Sequence, residues 1–154
     1  LGDVYKRQLA AFPMVGIKVT LNDGKYHDVD SSDLAYQLAA RTAMRDAVKK
    51  SSPVLMEPVM KVEVETPSDF QGSVIGDLSS RRGVVYGTEV NGDDTVINAG
   101  VPLGEMFGYA TQLRSLTSGK ANYSMEFEKY NRCPAFVQEK VIKERAEKMR
   151  EEQG

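Results

Sequence analysis

The feature that most constrains the fold is an internal repetition between residues 59 and 130. Each half reads as a strand, then a helix that begins at a proline and stops at a glycine, then a second strand. The interval from Pro67 to Gly83 nearly equals the interval from Pro102 to Gly119. Because proline suits the first turn of a helix and glycine the position after its end, these intervals predict two helices of similar length.

Alternation of apolar and polar residues predicts the strands around these helices. The order β-α-β-β-α-β is typical of the ferredoxin-like split βαβ arrangement, an α+β two-layer sandwich of helices on an antiparallel sheet. Right-handed crossovers place both helices on one face of that sheet. The predicted strands are 61–65, 84–90, 95–101 and 123–127, and the turn sequence Asn91-Gly92-Asp93-Asp94 joins the middle two as a hairpin.

Each of the two helices is expected to bury one apolar stripe against the sheet. With both layers present, residues 59–131 are predicted to form a complete domain. The expected stripes are Phe70, Val74, Ile75 and Leu78 in the first helix, and Met106, Phe107, Ala110 and Leu113 in the second.

The segment before this domain, residues 9–52, predicts only part of an α+β domain. It contains one alternating strand, Val15 to Leu21, followed by the turn sequence Asn22-Asp23-Gly24. A single helix follows and is expected to run to about Lys50. Its candidate N-cap residues are Ser31, Ser32 and Asp33, its apolar face is Tyr36, Ala40, Ala43, Met44, Ala47 and Val48, and its basic row is Arg41, Arg45 and Lys49.

Three shorter segments complete the predicted organisation. Residues 1–8, which begin at Leu1 rather than Met, show no period and no cap signal and are interpreted as a leader outside the fold. Residues 53–58, with a proline at each end, are interpreted as a linker. Residues 132–154 predict a charged C-terminal helix, whose docking side is Val137, Val141, Ile142 and Met149.

The charge balance argues against a general attraction to nucleic acid. The 154 residues carry a formal net charge of −2, so any contact with RNA has to come from local geometry or from a larger protein. The single cysteine, Cys133, excludes an internal disulfide framework and fits a reducing compartment. Since no apolar run approaches the ~20 residues that span a bilayer, we expect a cytoplasmic protein without a membrane partner.

The sequence shows no catalytic constellation and no motif for a cofactor. A G-x-x-x-x-G-K-[ST] phosphate loop is absent, and one histidine with one cysteine cannot supply the ligands of a zinc site. Asp93 and Asp94 beside Gly92 are the nearest candidates for a calcium or magnesium site, but turn chemistry explains these residues. We therefore expect no catalytic, cofactor-binding or metal-binding residues in this chain.

The only histidine, His27, lies between Tyr26 and Asp28 in the connection from the strand to the helix. From the residues alone, two interpretations stay open. His27 is either a loop histidine bonded to a neighbour or part of a loop tip that offers a ring and donors to a partner.

Several long strings resemble elongation factor G, the bacterial ribosomal translocase. The resemblance covers roughly residues 9 to 131 and is specific, because none of the strings has low-complexity character. The strings are YHDVDSSDLAYQLAA (26–40), PVLMEPVMKVEVETP (53–67), VIGDLSSRRG (74–83) and VPLGEMFGYATQLRSLTSG (101–119).

The resemblance implies that residues 9–52 are the second half of domain IV and that the ferredoxin-like region is domain V. In that family, domain IV reaches the decoding region, so Tyr26, His27 and Asp28 would approach A-site transfer RNA and messenger RNA. Arg81 and Arg82 would contact ribosomal RNA, because arginine suits phosphate geometry. GTP and magnesium belong to a domain of the parent protein outside these residues, and the partner is the ribosome, bound by a monomer.

Three alternatives stay open at this point. The first is a relative with the same architecture, either a ribosomal protection protein or an organellar elongation factor G. The second is a ferredoxin-like ligand-binding or regulatory module, which would require a concave and mostly apolar pocket. The third is an enzyme on the same fold, since a fold does not determine a function.

Overall fold

The computed structural model describes residues 12 to 151, and the predicted leader over residues 1–8 lies outside them. The chain divides into two compact units. We call residues 56–132 the sheet unit, and residues 12–55 with 133–151 the flanking unit. In chain order the elements are α1 (Asp33–Lys50), β1 (Met56–Pro67), α2 (Gln71–Ser80), β2 (Val84–Asn91), β3 (Asp94–Pro102), α3 (Tyr109–Thr117), β4 (Asn122–Arg132) and α4 (Ala135–Glu151).

The sheet unit has the predicted β-α-β-β-α-β order and confirms the α+β fold class. Its four strands lie in the order β2-β3-β1-β4 and every pairing is antiparallel. The centre of the sheet is the pair β1 and β3, which runs in register from Val59 opposite Pro102 to Pro67 opposite Asp94. β1 begins at Met56, so the second half of the predicted linker (residues 53–58) belongs to this strand.

One continuous core lies between the helices and one face of the sheet. Alternate residues of the two central strands are fully buried and meet the apolar stripes of α2 and α3. Burial of this area is the main stabilising term for such a domain. The core residues are Val62, Val64, Val74, Leu78, Ile97, Ala99, Val101, Met106, Tyr109 and Leu113.

The helix predicted from Pro102 is in fact a short 3-10 turn, Leu103–Glu105, followed by α3 from Tyr109. Gly108 before α3 has φ +74, a left-handed conformation that favours glycine. This break resets the helical register, so Tyr109, Leu113 and Thr117 face inward at intervals of four. Phe107 and Ala110, which the pattern assigned to the core, are exposed.

In the flanking unit, the predicted helix forms but the predicted strand does not. The Ser32 hydroxyl accepts a hydrogen bond from the Ala35 amide at 3.2 Å and caps α1 as expected. Val15 to Leu21 forms no strand, and Leu21 is 89% exposed. A strand needs a partner for its backbone groups, and the described residues of this unit contain no other strand. For the same reason the apolar face of α1 is mostly uncovered, with Val48 its only buried residue.

The C-terminal helix α4 presents the predicted side to its own unit. Val137, Val141, Ile142 and Met149 are all half-buried. The side-chain oxygen of Gln138 accepts a hydrogen bond from the Leu55 amide at 3.1 Å. Among residues 12–151, no helix has the length and apolar character needed to cross a membrane.

Candidate functional site

The sequence-predicted site residues fall into two groups, one in each unit. Tyr26, His27 and Asp28 are consecutive in the flanking unit, in a segment that we call the tip loop (residues 26–30). Arg81 and Arg82 are adjacent in the sheet unit.

Hydrogen bonds to Ser31 hold the base of the tip loop. The His27 amide donates to the Ser31 hydroxyl at 2.7 Å. The Ser31 amide donates to the His27 carbonyl at 3.0 Å. Because Ser32 is the N-cap of α1, the loop leads directly into a helix that starts at a defined residue. The three predicted contact residues are thus presented on a short turn with a fixed base.

The side chains of the tip loop face solvent. The side chain of His27 is 70% exposed, and its Nδ1 lies 3.4 Å from the Val29 amide and 3.5 Å from an Asp30 carboxylate oxygen. A neutral ring accepts from Val29 at Nδ1, whereas a protonated ring donates to Asp30. Both contacts use Nδ1, so the Nε2 edge and the ring faces stay available to a partner. Tyr26 beside it is also exposed.

Arg81 and Arg82, at the end of α2, bind carboxylates and carbonyls of their own unit. Arg81 Nε donates to Asp77 at 2.8 Å. Its Nη1 donates to the Glu105 carbonyl at 2.6 Å. The Arg81 guanidinium also lies 5.2 Å from the centre of the Tyr109 ring, a cation–π distance.

Arg82 makes the stronger set of contacts. Its Nη1 and Nη2 bind the two carboxylate oxygens of Glu57 at 2.9 and 2.8 Å, a bidentate pair, and its Nε binds Glu105 at 3.0 Å. The hydrogen bond to Glu57 is the main reason that the pKa of Arg82 rises above its usual value. Arg82 holds this position with a backbone φ of +60. Residue 83 has room only for glycine, because a Cβ there would lie 2.5 Å from the Leu78 carbonyl oxygen.

We call Arg81 and Arg82 with their partners Asp77, Glu57 and Glu105 the arginine clamp. The two arginine side chains are only 18% and 22% exposed. The clamp joins the start of β1, the end of α2 and the turn after β3. A structural role is therefore shown for both arginines, while contact with phosphate stays a prediction.

Sequence reasoning missed the partners in this clamp. Asp77 and Arg81 are four residues apart on one helix, a spacing that signals an ion pair. Glu57 and Glu105 carry no such local signal, because they lie 25 and 23 residues from Arg82.

A second contact that sequence reasoning missed crosses the sheet face opposite the helices. The Tyr86 hydroxyl donates to the Glu128 carboxylate at 2.8 Å. Both residues are unpaired bulges, Tyr86 in β2 and Glu128 in β4. Burial and this hydrogen bond raise the pKa of Tyr86, and the same hydrogen bond lowers the pKa of Glu128. The contact runs over Gly100, where a Cβ would lie 2.0 Å from the hydroxyl oxygen.

Concave regions occur in both units. One on α1 has a volume of ≈ 430 Å³ and is lined by Tyr36, Gln37, Ala40 and Arg41. A concave region of the sheet unit has a volume of ≈ 200 Å³ and is lined by Lys61, Glu63, Ser124, Met125 and Glu126. Between residues 12 and 151, no group of three or more His, Cys, Asp or Glu side chains is placed to hold a metal ion. The Asp93 carbonyl accepts from the Ser68 amide and hydroxyl, so Asp93 has a structural place at the hairpin.

Comparison with known proteins identifies both parts of the chain. The family model described as "Elongation factor G, domain IV" matches residues 8–52, and "Elongation factor G C-terminus" matches residues 54–141. Elongation factor G of Aquifex pyrophilus is 56% identical over 137 residues, which is 89% of this chain and 20% of that protein. The chain therefore spans about a fifth of the length of this curated relative.

A solved structure matches most of the chain in fold and sequence. A crystal structure of a protein from Thermus thermophilus matches with a TM-score of 0.83 and 39% identity, over 95% of this chain and 22% of that chain. Matches of this kind leave the unrelated ligand-binding module and the unrelated enzyme without support. The chain belongs to the elongation factor G family, as a segment that matches its domain IV and C-terminal models.

Proposed function

We propose that this chain is the ribosome-binding C-terminal portion of a translational GTPase that moves transfer RNA and messenger RNA through the ribosome. The observation that carries the proposal is the match of two consecutive elongation factor G models along residues 8–141. The parent protein acts in the cytoplasm, and the chain approaches the ribosome as a monomer.

In this proposal the tip loop is the part that meets A-site RNA. Tyr26 and His27 offer exposed rings, and the His27 Nε2 edge offers a hydrogen-bonding group. Unpaired bases are recognised in general by stacking on such rings and by hydrogen bonds to their edges. The fixed base of the loop reduces the ordering cost of that contact.

The arginine clamp has a supporting part in the same proposal. Arg81 and Arg82 pair with three carboxylates and so offset most of the negative charge that would otherwise repel ribosomal RNA phosphates. The exposed part of each guanidinium is the surface that a phosphate would meet in this proposal. GTP and magnesium are bound by another domain of the parent protein, since this sequence has no phosphate-cradling loop.

Ribosome binding by the 154-residue chain tests the proposal directly. We expect the chain to sediment with intact ribosomes and to protect RNA of the large subunit from chemical probes. In parallel, calorimetric titration with GTP and magnesium is expected to give no binding. A chain that stays in the supernatant at micromolar ribosome concentrations, or one that binds GTP, would overturn the proposal.

A further inference from the structure

The most exposed aromatic side chain among residues 12–151 is Phe107, at 81%. It lies in the segment Leu103–Gly108 between β3 and α3, which we call the clamped loop. Both of its near neighbours are buried, Met106 at 6% and Tyr109 at 1% exposure. The phenyl ring therefore projects from a point where the chain on either side is anchored in the core.

The clamped loop is held by hydrogen bonds from Arg81 and Arg82 and by a bond within the loop itself. Arg81 Nη1 donates to the Glu105 carbonyl at 2.6 Å, and its distance to the Phe107 carbonyl is 3.5 Å. Arg82 Nε donates to the Glu105 carboxylate at 3.0 Å. Within the loop, the Met106 amide donates to the Leu103 carbonyl at 3.0 Å. An exposed ring on a loop with this many fixed groups loses little conformational entropy when a partner binds it.

We propose that Phe107 stacks on an unpaired base of ribosomal RNA, and that the arginine clamp holds the Phe107 ring in position for this contact. This inference rests on the proposed function and adds a contact that lies outside the tip loop.

The surroundings of Phe107 favour a base over a protein partner. Protein interfaces concentrate binding energy in apolar clusters with a surrounding rim. Phe107 instead stands beside Gly108 and the exposed Ala110, without an apolar cluster in the clamped loop. A single flat ring matches one unstacked base, whose faces bind aromatic rings in a sequence-tolerant way.

The local charge also permits an RNA backbone. Glu105 is the only charged residue in the clamped loop, and its carboxylate is paired with Arg82. Phosphates next to a base stacked on Phe107 would therefore meet no unpaired carboxylate within the clamped loop itself.

Ribosome affinity of the 154-residue chain tests this contact. Phe107→Ala is expected to raise the Kd for intact ribosomes by about 5- to 150-fold, as the loss of one base–aromatic stack does. Phe107→Trp, which keeps a stacking surface, is expected to bind within about threefold of the wild type. Phe136→Ala, at another exposed phenylalanine on α4, is the matched control and is expected to leave the Kd unchanged.

The chemical class of the partner is tested by cross-linking. With p-azidophenylalanine in place of Phe107, irradiation of the ribosome complex is expected to attach the chain to RNA. Attachment to ribosomal protein alone, or an unchanged Kd for Phe107→Ala while the wild type binds, would overturn this inference and leave the proposed function intact. A wild-type chain that fails to bind ribosomes would overturn both.

Discussion

The Tyr86 hydroxyl donates a 2.8 Å hydrogen bond to the Glu128 carboxylate and so connects the two edge strands of the sheet. Neither residue has a partner in the strand ladder, because each is the extra residue of a bulge. A bulge re-aims its side chain, and here two bulges direct side chains toward each other over Gly100.

This arrangement predicts that Gly100→Ala destabilises the sheet unit. A Cβ at residue 100 would lie 2.0 Å from the Tyr86 hydroxyl oxygen and 2.7 Å from the ring carbon that bears it. Tyr86 must move, so the free energy of unfolding is expected to fall by about 1–3 kcal/mol, as in other overpacked sites. Urea unfolding of the 154-residue chain measures the change. Gly87→Ala is the control, because a Cβ there meets nothing within 4 Å.

A double-mutant cycle separates the clash from other effects of the alanine. If Tyr86 is the obstacle, Gly100→Ala costs little in a chain that also carries Tyr86→Ala. An equal cost in both backgrounds would show that the glycine is needed for its backbone rather than for the space above it.

Because of Tyr109, the free energy of unfolding is expected to fall at alkaline pH. Its hydroxyl is buried and has no hydrogen-bond partner among the described residues, and burial raises its pKa. Below the unfolded pKa of about 10, both states hold the phenol proton and stability is complete. As the pH rises above that value, the unfolded state releases the proton first, so stability falls by up to about 1.4 kcal/mol per pH unit until the folded pKa is reached.

Tyr109→Phe is expected to remove this alkaline slope and to leave stability at pH 7 equal or higher, because it removes an unpaired buried hydroxyl. Thermal unfolding between pH 7 and 11 measures both effects. Tyr130→Phe, at an exposed position, is the control. A clear loss of stability at pH 7 in Tyr109→Phe would mean that the hydroxyl has a bound partner, such as a buried water.

Arg82→Lys is expected to destabilise the sheet unit although the charge is kept. An ammonium group cannot reproduce the bidentate bond to Glu57 together with the bond to Glu105. We expect the free energy of unfolding to fall by about 1.5–3 kcal/mol, the range for hydrogen bonds to charged groups. Chemical denaturation measures this, with Arg45→Lys on the exposed side of α1 as control. Equal stability of the two variants would argue that the clamp contributes nothing to the fold.

His27→Ala in the full-length parent is expected to slow translocation and to leave GTP hydrolysis unchanged. The side chain is 70% exposed, so its truncation should change stability by no more than about 0.5 kcal/mol. Loss of a stacking contact made only during movement slows that step by about 5- to 150-fold. Rapid-kinetic translocation and GTPase assays on the same preparation measure the two rates. Hydrolysis that falls in parallel with translocation would mean that His27 acts elsewhere.

Hydrogen exchange is expected to differ between the two units. Amides of β1 and β3 lie in a four-stranded sheet over a buried core and should exchange slowly. Amides of residues 12–30 have no strand or helix bonds and should exchange within seconds. Mass spectrometry of the 154-residue chain resolves these segments, and equal protection in both would contradict the described structure.

Signals that act over a few residues were enough to predict the architecture of the sheet unit. Alternation marks the strands, and Pro67 and Gly83 bracket the first helix, because strand alternation and helix termini depend on neighbouring residues. The cap at Ser32 was predictable for the same reason. The position of His27 in a loop already made it a candidate, while the resemblance to a family added Tyr26 and Asp28 and the contact with A-site RNA, which stays a prediction.

Tertiary structure alone decided the features that need distant partners. The clamp on Arg82 and the bond from Tyr86 to Glu128 join residues 23 to 42 positions apart, and sheet register brings them together. Phe107 has an apolar side chain that fits a core stripe, but the break at Gly108 turns it outward. The segment Val15 to Leu21 alternates like a strand and remains unpaired, because its own sequence cannot supply the neighbouring backbone that a strand requires.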